Sequence, residues 1–97
     1  MARFDVHVGP DEELLLDCQA DVLSHFETRL VVPLLPAKGT LQASRLHPIF
    51  AVEDQRVVMV TQLASAVPRR ILRRKITSLA DEQPAIMNAL DMLLTGG

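Results

Sequence analysis

The chain predicts an α+β fold: an antiparallel sheet of about five strands that curls around a core, closed by one C-terminal helix. Three stretches carry that expectation. Arg3-Phe4-Asp5-Val6-His7-Val8 alternates polar and apolar without a fault, as a half-buried strand does with Phe4, Val6 and Val8 inward. Leu46 to Val52 and Arg56 to Thr61 are rich in Val, Ile and Phe and are separated by Glu53-Asp54-Gln55, which reads as a hairpin with a three-residue connection in the middle of the sheet. From Ser78 to Gly97, Ala85, Ile86, Ala89, Leu90, Leu93 and Leu94 recur at helical steps with Asn88 and Asp91 between them, so one broad face is apolar.

The remaining segments follow in order. Gly9 to Glu13 is a turn, and Leu14 to Cys18 is an apolar run able to return beside the first strand. Asp21 to Thr28 is a loop or a single helical turn. Arg29 to Leu35 reads as a buried strand in which Pro33 marks an edge or a bulge. Pro36 to Ser44, with Gly39, is a linker or an excursion from the sheet. Ser65 to Pro68 breaks the strand pattern, and Ile71, Leu72 and Ile76 allow one more strand before the helix. Asp81, Glu82 and Pro84 place the helix start near Ala80 or Asp81, and Gly96-Gly97 ends it.

At 97 residues and 48% hydrophobic, the whole of residues 1–97 is expected to form a single domain. No apolar run approaches the roughly 18 residues of a membrane span and no signal-peptide core opens the chain, so a cytoplasmic protein is expected. Cys18 stands alone and no Cys/His cluster has zinc-ligand spacing, so neither a disulfide, a metal nor a cofactor is expected. The net charge of −2 conceals an asymmetry. Residues 1–28 hold seven acids against Arg3 alone, while Arg69, Arg70, Arg73, Arg74 and Lys75 crowd one short segment. With three Phe and neither Trp nor Tyr, the chain offers little on which unpaired bases could stack.

The basic run is the first candidate site. It suits an acidic partner or phosphates, although charges on an exposed strand also serve simply to prevent edge-to-edge pairing. His7, His25 and His47 lie on three segments, and neither Ser24-His25 nor Ser44 with His47 makes a catalytic constellation by proximity in sequence. Cys18 has no basic neighbour and reads as a small core residue. The acidic pairs at Asp11-Glu12-Glu13, Glu53-Asp54 and Asp81-Glu82 fall in turns or at a helix start, where acids are expected for local reasons.

Read together, several stretches resemble the CcdB family of bacterial toxins. Leu16-Asp17-Cys18-Gln19-Ala20-Asp21-Val22-Leu23 is similar to that family's Val-Asp-Val-Gln-Ser-Asp-Ile-Ile, and Arg29-Leu30-Val31-Val32-Pro33-Leu34 to its Arg-Met-Val-Ile-Pro-Leu. Leu46-His47-Pro48, Ala64-Ser65-Ala66-Val67-Pro68 and Asn88-Ala89-Leu90-Asp91-Met92 follow in the family's order. The resemblance implies an SH3-like antiparallel β-sheet core with a small accessory sheet and one C-terminal α-helix, assembled as a homodimer.

It also implies a non-catalytic toxin that binds the A subunit of DNA gyrase and traps the enzyme on DNA it has cut. A cognate CcdA-like antitoxin would neutralise it, and operator DNA would be reached only through the antitoxin complex. Carried over by position, the gyrase-binding residues are Val22, Leu23, Asn88, Asp91, Thr95, Gly96 and Gly97. Two departures stand out. Thr95-Gly96-Gly97 stands where the best-known member of the family ends Trp-Gly-Ile, and Arg73, Arg74 and Lys75 stand where that member has a Gly-Glu-Glu stretch. The second departure assigns Arg69, Arg70, Arg73, Arg74 and Lys75 to antitoxin binding, with an antitoxin that is acidic opposite them. The same SH3-like dimer also serves endoribonuclease toxins, in which a histidine would supply the acid or base, and a degenerate member that binds antitoxin alone is a third reading.

Overall fold

The computed structural model describes residues 1–97. Seven antiparallel strands form one curled sheet, and a single C-terminal helix closes it. The strands are β1 (Asp5–Val8), β2 (Leu14–Asp17), β3 (Thr28–Pro36), β4 (Ile49–Val52), β5 (Gln55–Met59), β6 (Ser65–Pro68) and β7 (Lys75–Ser78); the helix α1 spans Gln83–Thr95. Their order is β4-β5-β3-β2-β1-β7, with β6 branching from β3. The count is higher than the five or so expected because Ser65–Pro68, read from sequence as a break, is a strand paired on one side only.

The centre of the sheet is β3, and the β4–β5 hairpin lies at one edge, not in the middle. Pro33 accounts for the misplacement. It faces Leu15 across the β2–β3 ladder, yet its carbonyl accepts the Val60 amide from the other side. The N–H that proline lacks would point the same way, into the junction where β3 exchanges β6 (residues 28–31) for β5 (residues 34–36). A proline is therefore tolerated in a central strand because no ladder bond is missing there. The hairpin connection is two residues long, not three: Val52 pairs with Gln55, and Glu53 and Asp54 both have positive φ. That backbone is the primed turn whose twist matches its flanking strands.

Both faces of β1 are buried. Val6 joins the main core with Leu16, Val32, Leu34, Phe50, Val52, Val57 and Met59, over which α1 lays Ile86, Ala89 and Leu90, and Val8 is buried as well. Asp5 and His7, expected outward, are covered on the other face, where Leu15, Val31 and Leu72 form a second cluster. The cover is the segment between β6 and β7, which turns once at Arg69–Ile71 and returns so that Val8 exchanges backbone bonds with Arg73 and Arg74. Phe4 precedes β1 with φ of 73°, a conformation costing a bulky residue ~1–2 kcal/mol, and its ring is buried in the main core.

The helix begins after a separate turn at Ala80–Glu82 and carries Pro84 in its first turn, close to the start expected from the sequence. At its other end Gly96 adopts φ of 75° and donates its N–H to the Met92 carbonyl, the left-handed closure that glycine makes without a Cβ penalty. The apolar face is buried only as far as Leu90. Met92, Leu93 and Leu94 are exposed.

Candidate functional site

Val22 and Leu23 sit on a single helical turn, Asp21–Leu23, between β2 and β3. Val22 is 80% exposed, and Leu23, Phe26 and Leu30 beside it are exposed as well. Several bonds hold this apolar loop in place. Gln19 donates its Nε2 to the Leu23 carbonyl at 2.9 Å and accepts the Leu30 amide on Oε1 at 3.0 Å, spanning from the turn to β3. Asp21 accepts the Arg3 amide at 2.8 Å, and Phe26 donates its N–H back to Leu23.

Asn88 and Asp91 lie on the solvent side of α1, and Thr95, Gly96 and Gly97 are fully displayed at its end. The end is nonetheless fixed. Thr95 Oγ1 donates to the Asp91 carbonyl at 2.7 Å and accepts the Gly97 amide at 3.3 Å, in addition to the Gly96 cap. The helix packs on the turns Thr61–Leu63 and Ala80–Glu82, and no comparable packing joins it to the Asp21–Leu23 turn.

The five cations of the basic run do not act alike, and they do not lie on one exposed strand. Arg69 Nη1 donates to the Ser24 carbonyl at 3.2 Å while its backbone N–H bonds Glu27, so it ties the run to the apolar loop. Arg73 pairs with Glu12 at 3.2 Å, and Lys75 with the buried Asp5 at 3.4 Å. Arg70 and Arg74 make no side-chain bond at all, which leaves them as the cations with full capacity for a partner.

The histidines remain apart. His7 is buried in β1 and donates Nδ1–H to the Arg73 carbonyl at 3.2 Å, with no partner for Nε2. His25 packs its ring on Phe26 at 4.4 Å. His47 Nε2 lies 2.7 Å from Gln62 Oε1. Cys18 is buried, and its thiol is pushed up to about 12, first by desolvation and then by the charge of Asp17. A thiol so shifted is a packing group and a poor nucleophile.

One pair escaped the sequence reading. Asp17 and Arg29 are both fully buried, with Arg29 Nε donating to Asp17 Oδ2 at 2.8 Å and Nη2 lying 2.6 Å from the same oxygen. The β2–β3 register sets Asp17 opposite Val31, so Arg29 is its diagonal neighbour on the same face. A charge inside each of two otherwise apolar strands was the available signal.

The family described as CcdB protein matches residues 3–96 of this chain. Among solved structures, the chain is similar to the Mycobacterium tuberculosis toxin MazF-mt6, with a TM-score of 0.72 at 20% sequence identity, covering 90% of this chain and 92% of that one. At that identity the likeness concerns the curled sheet and its terminal helix.

Proposed function

The chain belongs to the CcdB protein family, which makes it the toxin of a toxin–antitoxin pair, and from that premise we propose that it binds the A subunit of DNA gyrase and stabilises the DNA-cleaved complex. The observation that carries this reading is the exposure of Val22 and Leu23 on a loop fixed by Gln19, Asp21 and Arg69. Apolar side chains held in place lose little entropy on binding. The second contact is the helix end, where Asn88, Asp91 and the capped Thr95-Gly96-Gly97 face solvent. The acting species is a homodimer with α1 at its centre, and the protein itself carries out no chemistry.

The mechanism is differential binding. A protein that prefers the cleaved conformation of its target shifts the enzyme toward that state, and resealing slows by the ratio of the two affinities. A cognate CcdA-like antitoxin, acidic where it meets Arg70 and Arg74, reverses the effect by folding onto the toxin. The antitoxin reads operator DNA for the complex.

A cleavage assay on supercoiled DNA with gyrase tests the reading, comparing the intact chain with one ending at Leu94. Linear DNA with the intact chain and much less with the truncated one is the expected result. No linear DNA at saturating toxin would remove gyrase as the target, and cutting of RNA in the absence of gyrase would replace this reading by the endoribonuclease one. The separate placement of His7, His25 and His47 weighs against that alternative.

A further inference from the structure

His7 is the one buried histidine, 5% exposed, whereas His25 is exposed and His47 half-buried. Its ring meets the segment between β6 and β7 that covers β1. The Arg73 carbonyl can only accept, so the neutral ring carries its proton on Nδ1 and leaves Nε2 as a buried acceptor with no donor. Two backbone bonds flank that contact: Val8 donates to the Arg74 carbonyl at 2.9 Å, and Arg73 donates to the Val8 carbonyl at 2.8 Å. The β1–β7 register slips at this residue, from Val6 opposite Thr77 to His7 opposite Lys75, so Ile76 is left over as a bulge. Leu72, the buried side chain of the cover, rests on Leu15 and Val31 alone among buried apolar residues. A segment held by so few contacts opens locally at low cost.

The charged groups around the ring are already engaged. On β1, Asp5 accepts the Ala2 amide at 3.0 Å through Oδ2 and lies 3.4 Å from Lys75 Nζ through Oδ1. Lys75 itself holds the β7 position opposite His7. On β2 the position opposite is Leu15, and of the acids two residues to either side, Asp17 is paired with Arg29 while Glu13 accepts the Asp11 amide. In the cover, Arg73 directs its guanidinium to Glu12, and Arg74 makes no side-chain bond. A second proton on the ring therefore creates a buried donor and a buried positive charge with no acceptor reserved for them, and water is what can satisfy both.

We propose that His7 is a proton-operated latch on residues 69–74. Neutral, it fastens the cover through the Arg73 carbonyl; doubly protonated, it is hydrated only when the cover lifts from β1. Lifting takes Leu72 off Leu15 and Val31 and displaces Arg70 and Arg74 together, so mild acid alters the placement of the two cations that have full capacity for a partner. The latch requires no particular target for the chain. A solvated imidazole takes up its second proton near pH 6.5, and the lifted form gains that one proton, so the opening equilibrium should rise by up to about tenfold per pH unit below that value.

Amide hydrogen exchange of the intact protein at about pH 7.5 and about pH 5.5, corrected for the intrinsic rate at each pH, reads the latch directly, since ordinary carboxylates stay ionised over that range. Protection of the Val8 and Arg73 amides should fall about fivefold or more on acidification, while that of the Met59 amide, bonded to the Pro48 carbonyl, should hold. His7→Gln keeps a donor for the Arg73 carbonyl without titrating, and it should make protection of the cover independent of pH. Should that variant fail to fold, His25→Gln with His47→Gln, which leaves His7 in place, should retain the full effect. Protection of the cover unchanged or raised in acid, an equal fall at Met59, persistence of the effect in His7→Gln, or its loss in the His25→Gln and His47→Gln variant would each overturn the latch.

Discussion

Asp17 and Arg29 carry opposite charges into a site that water does not reach, and the cost of desolvating both is offset only while they face each other. Asp17 has further help, since its Oδ1 accepts the Gln19 amide at 3.0 Å, but Arg29 Nη1 has no hydrogen-bond partner. Arg29→Met or Asp17→Asn alone should therefore cost ~3–5 kcal/mol in urea denaturation, because each leaves a buried charge unbalanced. Asp17→Leu combined with Arg29→Met should recover most of that loss. A double variant as unstable as the worse single one would mean that the pair organises the backbone and is not merely self-compensating. Gln19 gives the pair a functional reach: its backbone N–H bonds Asp17, and its side chain spans from the loop bearing Leu23 to β3.

Cys18 supplies a pH dependence of known sign. Its folded pKa of about 12 exceeds the ordinary thiol value of 9.0, so the native chain keeps the thiol proton that the unfolded chain releases. Stability from this group is complete below pH 9 and is lost as pH rises from there toward 12, at ~1.4 kcal/mol per pH unit. Denaturation midpoints measured from about pH 8 to about pH 10.5, a range that brackets the unfolded-state titration, should fall less steeply for Cys18→Ala than for the parent, although the variant starts lower because a core atom is gone. Identical slopes would show that the thiol is not desolvated in the native state.

At the scale of elements, the sequence was legible where local pattern and tertiary environment agree. Alternation located β1, and helical spacing located α1 to within a few residues. It failed where the environment decides. Pro33 looks like an edge residue and sits in the central strand, because the missing N–H points at a strand exchange that no local pattern announces. Ser65–Pro68 lacks strand character and becomes a strand because β3 offers it a free side. In the candidate site, five consecutive-looking cations are sorted by remote partners: Glu12 and Asp5 in the N-terminal hairpin and the Ser24 carbonyl take three of them. The hairpin connection supports a further prediction. Glu53 and Asp54 both occupy the left-handed region, at φ of 48° and 65°, where asparagine and glycine are accommodated with less strain. The double substitution Glu53→Asn with Asp54→Gly should raise stability by about 1 kcal/mol without altering any binding reading. No gain in thermal denaturation would indicate that either acid makes a compensating contribution in the native turn.

At the scale of the whole molecule, apolar surface is exposed at the C-terminal end of the helix as well as on the loop between β2 and β3. Ile86, Ala89 and Leu90 are consumed by the core, whereas Met92, Leu93 and Leu94 continue the apolar face into solvent, with Leu94 78% exposed. Leu63, on the turn that packs against α1, is 53% exposed as well. A helix stripe that outlasts its own core requires something to lie on, and burial of a large aliphatic side chain contributes ~1.5–3 kcal/mol. A second copy placing its own helix end there would cover both stripes at once, as a two-fold interface does. The capped Thr95-Gly96-Gly97 ends would then be brought together near the symmetry axis and presented as a pair. Sedimentation velocity should accordingly show a dimer at micromolar concentration. Leu63→Asp with Leu93→Asp should shift it to monomer while the circular dichroism spectrum is retained, and thermal stability of the parent should rise with protein concentration. A monomeric parent, or a dimer that survives both substitutions, would move self-association away from the helix end and make the exposed stripe available to another partner.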